Sequence, residues 1–172
     1  KLDSEFLEKL RSYNADFYVV AAYSKILSTE LIKTPQLGII GVHPSLLPKF
    51  RGPSPIQSAI LAGVKETGVT LFLLDEKVDH GVIITQKVCS TWQGANYEEL
   101  NKRLAELSGD LLVETLQAFV QGKLRLREQD HSQATFTRKF VTEDGYIDIK
   151  ELKNAVSGFN LKATETIDRK IK

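Results

Sequence analysis

A histidine and an aspartate each follow a predicted strand, where side chains are well placed to do chemistry. His43 comes directly after the predicted strand Leu37–Val42, and Asp79 lies in the loop after the predicted strand Thr67–Leu74. Ligands of open α/β sheets bind at the carboxyl ends of the strands. An imidazole exchanges protons near neutral pH, and a neighbouring carboxylate can orient it. The sequence therefore predicts an acid–base pair at this edge of the sheet.

Each of these residues also has an ordinary structural explanation. A single loop histidine is most often bonded to nearby backbone groups, and an aspartate close before a glycine often forms a turn. The proline-containing loop after His43 favours a functional role there, and that role extends to Asp79 if the two side chains meet. His80 is predicted to be a turn residue without chemistry, and His131 to lie on the surface.

A basic, proline-rich segment continues from His43 towards a predicted helix. Lys49 and Arg51 could contact phosphate or carboxylate groups of a ligand, or could be solvated residues of a stiff loop. Their position beside His43 favours ligand contact. The loop Tyr23–Leu27 follows the first predicted strand and should lie along the same edge of the sheet.

The elements that would position these residues alternate between strands and helices. This alternation predicts an α/β fold with a mostly parallel sheet and helices on both faces, in which 67–90 is an antiparallel addition. The predicted strands are Phe17–Ala22, Leu37–Val42, Thr67–Leu74 and Val82–Ser90, and the clearest helices are Leu2–Tyr13, Ser54–Ala62 and Asn96–Val120. Short edge strands are predicted at 124–127 and 135–137, and weaker helices at 149–156 and 163–172.

Composition narrows the class of protein. The chain has 172 residues, a net charge of +1 and 26% charged residues, so it has no general electrostatic attraction to nucleic acid. The apolar runs have strand length, which predicts a cytoplasmic protein with no membrane partner. The single Cys89 excludes a disulfide within the chain, and no spacing of Cys and His indicates a metal. Because methionine is absent, we expect the chain to be part of a longer polypeptide.

Several motifs together resemble those of a known family. They are HPSLLP from His43, RGPSPIQ from Arg51, ETGVT from Glu66, VDHG from Val78 and DHSQATFTRK from Asp130. In this combination the chain resembles the formyltetrahydrofolate-dependent formyltransferases, from about Phe6 to about Gly145. The resemblance implies a Rossmann-like fold whose first strands precede this chain. It also implies a partial catalytic domain over 1–145 and a helical extension or linker over 146–172.

The resemblance implies an activity and its partners. The reaction is transfer of a formyl group from 10-formyltetrahydrofolate to the amino group of methionyl initiator tRNA, and the tRNA is held largely by parts outside this chain. The implied alternatives are another amine acceptor, such as an amino sugar nucleotide, and a non-catalytic folate-binding relative. Without preceding strands the edge strand Phe17–Ala22 would be bare, which predicts possible self-association.

The resemblance also assigns roles to residues. The catalytic positions are His43, Asp79 and Gly41, where Gly41 stands at the family's asparagine position and removes one donor to the developing oxyanion. The implied folate-binding residues lie in two loops, and they are Lys25, Ile26, Leu27, Leu74, Asp75, Glu76, Lys77 and Val78. The implied substrate-binding residues are Ser45, Leu46, Leu47, Pro48 and Arg51.

Overall fold

A computed structural model describes residues 4–23, 25–91, 94–156 and 161–171 of the chain. Its centre is a four-stranded sheet. The strands, in their order across the sheet, are β1 (Tyr18–Ala21), β2 (Ile39–His43), β3 (Glu66–Leu73) and β4 (Ile83–Ser90). The sheet is covered by helices, which confirms the predicted α/β class.

The strand directions differ in part from the sequence prediction. β1 and β2 are parallel, whereas the pairs β2–β3 and β3–β4 are antiparallel. The antiparallel pairing predicted for 67–90 is therefore found. The predicted mostly parallel sheet is found only between β1 and β2 among the described strands, because the β3–β4 pair makes up half of this sheet.

The helices follow the predicted order. They are α1 (Ser4–Ser12), α2 (Thr29–Ile32), α3 (Pro55–Ala62), α4 (Tyr97–Val120), α5 (Ile149–Val156) and α6 (Leu161–Ile171). Short 3-10 turns lie at His131–Gln133 and Thr142–Gly145. The edge strands predicted at 124–127 and 135–137 are reduced to single bridges, Ile83 with Arg127 and Arg51 with Phe136.

β2 is buried on both of its faces. Successive strand residues point to opposite faces, so Ile39 and Ile40 enter two different apolar clusters, and each is at most 1% exposed. The Ile39 cluster includes Leu7 of α1 and Leu31 of α2, while the Ile40 cluster includes residues of α3 and α4. Helices therefore pack on both faces of the sheet, as predicted.

α4 is the longest helix of the described residues. The Asn96 side chain caps it by accepting a hydrogen bond from the Glu99 amide, and this satisfies a donor that the helix itself cannot pair. Its buried side chains recur at helical spacing, with Leu100, Leu104 and Leu111 in the core. α4 therefore closes one face of the sheet opposite the side that carries Ile39.

The last two helices pack against each other and reach the body of the fold. The Thr164 hydroxyl donates to the Ala155 carbonyl, and α6 contacts α3. The proposed division at residue 145 stays a prediction. Within the described ranges, no helix has both the length and the apolar character to cross a membrane.

Candidate active site

His43 lies at the carboxyl end of β2 with its side chain enclosed. Its Nε2 is 2.9 Å from the Phe50 carbonyl oxygen, and the residue is 6% exposed. Because a carbonyl oxygen only accepts, Nε2 carries the proton in this contact. Nδ1 then faces the Asp79 carboxylate, 3.6 Å from Oδ2. The structure thus brings together the two residues that the sequence paired, with Nδ1 free to take a proton on the side of Asp79.

Asp79 is held in an uncommon backbone conformation. Its φ of +48° lies in the left-handed region, which aspartate tolerates better than most residues. Its Oδ2 accepts a hydrogen bond of 2.7 Å from the Gly52 amide. The carboxylate therefore has one fixed donor and faces His43 with the same oxygen.

Two residues of one loop, which we name the Phe50–Gly52 loop, form hydrogen bonds with the two members of this pair. Phe50 supplies the carbonyl for His43, and Gly52 supplies the amide for Asp79. The φ of Gly52 is +106°, and a Cβ there would lie 2.7 Å from the Thr137 carbonyl oxygen, so glycine is required. A change in the backbone of this loop would therefore also move the groups that hold His43 and Asp79 in place.

Arg51, at the centre of this loop, turns into the protein. Its Nη2 lies 2.6 Å from Gln129 Oε1 and 2.9 Å from His131 Nδ1, and the residue is 3% exposed. Burial lowers the pKa of the guanidinium, and the nearby Asp79 and Asp75 carboxylates partly oppose this effect. The sequence predicted that Arg51 binds a substrate, whereas the contacts of its side chain shown here are internal.

The segment Ser45–Pro48 is also tied into the fold. The Ser45 hydroxyl donates to the Lys49 carbonyl, and the Leu47 amide donates to the Thr70 hydroxyl. Leu47 is buried, and Leu46 lies against Gly68 of β3. These four predicted substrate-binding residues stand beside His43, and their role towards a substrate stays a prediction.

The two loops predicted to bind folate converge on one apolar cluster. Leu27 and Leu74 both pack against the cluster of Leu7, Leu31 and Ile39. The remaining residues of the two loops lie nearer the surface. Ile26 is 85% exposed, Val78 is 55% exposed, and Lys25 is also exposed. The Glu76 carboxylate lies 4.0 Å from Lys33 Nζ. Asp75 Oδ1 accepts a hydrogen bond from the Lys77 amide.

The structure shows why residue 41 is a glycine. A Cβ there would lie 2.5 Å from both Leu74 Cδ1 and Phe72 Cε1. The face of β2 that carries His43 therefore presents an apolar wall at residue 41, built by two side chains of or next to β3. Within the described part of the chain, the atoms nearest to a Cβ at residue 41 all belong to these two side chains.

The structure adds three residues that the sequence analysis missed. His80 and His131 stack with their ring centroids 4.0 Å apart, and His80 Nδ1 is 2.5 Å from Asp75 Oδ2. Gln129 is buried between Arg51 and the loop that carries Asp79. His131 is exposed, as the sequence predicted, and His80 was predicted as a turn residue. No spacing in the sequence connected either of them, or Gln129, with the site. The one available signal was the strand-like character of 124–127 and 135–137, which implies that the chain between them returns to the sheet.

The fold and the site have counterparts among known proteins. The Formyl transferase family model matches residues 1–116. Methionyl-tRNA formyltransferase of Chloroflexus aggregans is 45% identical over 146 residues, which are 85% of this chain and 47% of the relative. The chain therefore spans about half the length of the curated relatives it matches.

Solved structures agree with this comparison. The phosphoribosylglycinamide formyltransferase of Bacillus halodurans has a TM-score of 0.63 and 34% identity, over 67% of this chain and 60% of that protein. An N-formyltransferase of Helicobacter canadensis, solved with folinic acid and dTDP-3-aminofucose, has a TM-score of 0.73 and 21% identity, over 89% of this chain and 52% of that one. The predicted Rossmann-like formyltransferase fold is confirmed, and the chain belongs to the Formyl transferase family.

Proposed function

We propose that this chain carries the catalytic centre for formyl transfer from 10-formyltetrahydrofolate to the amino group of methionyl initiator tRNA. The observation that carries the proposal is the enclosed His43–Asp79 pair, with His43 Nε2 fixed on the Phe50 carbonyl and Nδ1 facing the carboxylate. The choice of acceptor is supported by the similarity to methionyl-tRNA formyltransferases, which extends over most of this chain.

The residues present fit a folate at the edge of the sheet. Leu27 and Leu74 form an apolar base, and the exposed Ile26 and Val78 can pack against a flat ring. The backbone of 75–78, apart from the Lys77 amide that donates to Asp75 Oδ1, would face its polar edge. When bound, the formyl donor would supply the group that the amine receives.

The chain's own residues would accept and release the protons of the reaction. His43 would accept the proton of the incoming amine at Nδ1, where the Asp79 carboxylate lies beside it, as the amine nitrogen bonds to the formyl carbon. His43 would then give this proton to the donor nitrogen as the bond between that nitrogen and the formyl carbon breaks. Asp79 would orient the ring, and the Gly52 amide would keep the carboxylate in place. At residue 41 the chain offers no side-chain donor, so polar stabilisation of the formyl oxygen would fall to the Nδ1–H of His43, once it holds the amine proton, and to backbone groups.

A second function is supported by the wall at Gly41. Phe72 and Leu74 fill the space that a side chain at residue 41 would need. Loss of one oxyanion donor can cost about 10²–10³ in rate. A folate-binding relative without formyl transfer would be compatible with such a wall.

The test is formyl transfer by the protein of the complete reading frame, with methionyl initiator tRNA and an amino sugar nucleotide as competing acceptors. We expect product on the tRNA, and a loss of about 10²–10⁴ in turnover for His43→Ala and for Asp79→Asn. Asp110→Asn, an exposed carboxylate of α4, is the matched control and should leave turnover unchanged. Product on the sugar alone would change the acceptor, and donor binding without product on either would favour the second function.

A further inference from the structure

A distant part of the chain lies across the candidate site. The segment Arg127–Thr137, which we name the strap, begins by exchanging two backbone hydrogen bonds with Ile83, of 2.8 and 2.9 Å. It ends against the Phe50–Gly52 loop, where the Arg51 amide donates to the Thr135 carbonyl and the Thr137 amide donates to the Arg51 carbonyl. The strap thus contacts the start of β4, just after the loop that carries Asp79, and the Phe50–Gly52 loop that bonds to both His43 and Asp79.

Gln129 is the strap residue that joins the two loops through its side chain. Its Nε2 donates to the carbonyl oxygens of Asp79, at 3.0 Å, and Gly81, at 2.7 Å. Its Oε1 accepts from Arg51 Nε at 3.2 Å and from Nη2 at 2.6 Å. Because a guanidinium only donates and a carbonyl only accepts, the chemistry of the partners determines which way the amide points.

The amide of Gln129 is fully used and nearly enclosed. The residue is 5% exposed, so each of its hydrogen bonds forms away from water, where an unmet polar group is costly. The two bonds from Nε2 end on the carbonyl oxygens of Asp79 and Gly81, the residues before and after His80. Asp79 has a φ of +48°. A left-handed non-glycine residue persists only where its surroundings hold it.

We propose that Gln129 is a positioning residue, which holds the backbone of Asp79 so that the Asp79 carboxylate meets the Gly52 amide and faces His43. Arg51 provides the anchor, since it fixes Gln129 from the Phe50–Gly52 loop. The buried amide of Gln129 therefore fixes the distance between the Phe50–Gly52 loop and the loop that carries Asp79. The consequence for catalysis rests on the proposed function, whereas the consequence for the geometry of Asp79 does not.

Hydrogen exchange at the Gly52 amide tests the geometry without any substrate. This amide donates to Asp79 Oδ2, so its exchange reports whether the carboxylate is in place. In the protein of the complete reading frame, we expect Gln129→Met to accelerate Gly52 exchange about tenfold or more and to leave the core amide of Leu71 unchanged. Gln133→Met, on an exposed strap residue, is the matched control and should change neither amide.

A second variant separates the two halves of the amide. Gln129→Glu keeps an acceptor for Arg51 and removes both donors to the loop of Asp79, so we expect Gly52 exchange to rise as in Gln129→Met. In the formyl transfer assay, both variants should lower kcat by about 10 to 10² and leave the KM for the formyl donor within about twofold.

The outcomes distinguish the two proposals. Unchanged Gly52 exchange in Gln129→Met would overturn the positioning role, and so would equal acceleration at Leu71, which would assign Gln129 to the stability of the fold. Faster Gly52 exchange in a protein that transfers no formyl group would support the positioning role and contradict the proposed function.

Discussion

At Gly41 the backbone of β2 approaches two side chains too closely for a Cβ. We expect Gly41→Ala to lower the free energy of unfolding by about 1–3 kcal/mol, because Phe72 and Leu74 must shift to admit the methyl group. Urea denaturation measures the change. The control is Gly109→Ala in α4, where a Cβ would meet nothing within 4 Å, and which should be stabilising by about 0.4–1 kcal/mol.

A companion substitution makes this prediction specific to the wall. Leu74→Ala removes one of the two contacts that a Cβ at residue 41 would make. The double variant should then lose less stability than the sum of the two single variants. Strict additivity would show that Leu74 does not close this space. An asparagine at residue 41 should likewise be introduced together with Leu74→Ala. In Gly41→Asn alone, the new side chain would clash with both Phe72 and Leu74.

Arg51 gives a second prediction at this scale. A lysine cannot reproduce the fork that contacts Gln129 and His131, so Arg51→Lys should cost about 1–3 kcal/mol of unfolding free energy. The matched control is Arg11→Lys, whose guanidinium pairs with Glu30 at the surface and which should change stability by less than about 0.5 kcal/mol. Equal effects in urea denaturation would contradict a special role for the Arg51 contacts.

Individual residues were predictable where their role depends on the end of a strand. His43 and Asp79 follow predicted strands, and the strand ends bring them within 3.6 Å of each other. Gln129 and the stacking of His80 on His131 depend on how the strap crosses the site, at sequence separations of 48 residues or more. No local spacing encodes such a contact.

Among the elements, α4 contributes three buried leucines, Leu100, Leu104 and Leu111, to the core on one face of the sheet. Leu104 is 1% exposed, so we expect Leu104→Ala to cost about 2–5 kcal/mol of unfolding free energy through the cavity it leaves. Val113 lies on the same helix and is 75% exposed, and Val113→Ala should change stability by less than about 0.5 kcal/mol. Thermal and urea unfolding of both variants check this, and similar losses would mean that the buried face of α4 is assigned incorrectly.

The turn Thr142–Gly145 predicts a dependence on pH. The Arg138 guanidinium and the Val141 amide hold the Asp144 carboxylate, which lowers the pKa of Asp144 from the ordinary 3.8 to about 2. Because the folded pKa lies below the unfolded one, this contact stabilises the turn fully above about 3.8 and is lost as the pH falls through about 2.

A carboxyl-carbon NMR titration of Asp144 checks the value. The midpoint should lie at about 2 in the parent protein and move towards 3.8 in Arg138→Gln. Lys139→Gln removes the neighbouring charge and should leave the midpoint in place. An unchanged midpoint in Arg138→Gln would assign the effect to the Val141 amide instead.

The existence of most elements was predictable, while their pairing was predictable only in part. The apolar run of β2 and the leucine spacing of α4 are strong periodic signals, and both elements lie within two residues of their predicted bounds. The segments 124–127 and 135–137 have strand-like sequences but form single bridges, because the first meets β4 only at its first residue, Ile83, and the second meets the Phe50–Gly52 loop. Whether most strand pairs are parallel or antiparallel depends on how many strands lie on each side of β2. The sequence pattern of single strands does not contain this information.

At the scale of the whole molecule, the two faces of the sheet have different tasks. Ile40 and the cluster around it give one face its packed core, whereas the face that carries Ile39, Gly41 and His43 leads to the candidate site. The strap then crosses the edge of this second face. Because the core residues of α4 pack on the face opposite His43, core variants of α4 should alter unfolding without altering the contacts of His43.

The outer edge of β1 gives the last prediction, which concerns association. Among the described strands, β1 pairs with β2 alone, and Val19 on this strand is 40% exposed. An edge with free backbone groups and an apolar residue is suited to pairing with a second copy. We expect the 172-residue chain to associate with rising concentration in sedimentation experiments, and Val19→Lys to weaken that association by placing a charge at the edge. Val113→Lys adds the same charge to an exposed part of α4 and should leave it unchanged. If both lysine variants associate like the parent chain, the contact between copies lies away from β1, and strand pairing at this edge is not what drives it.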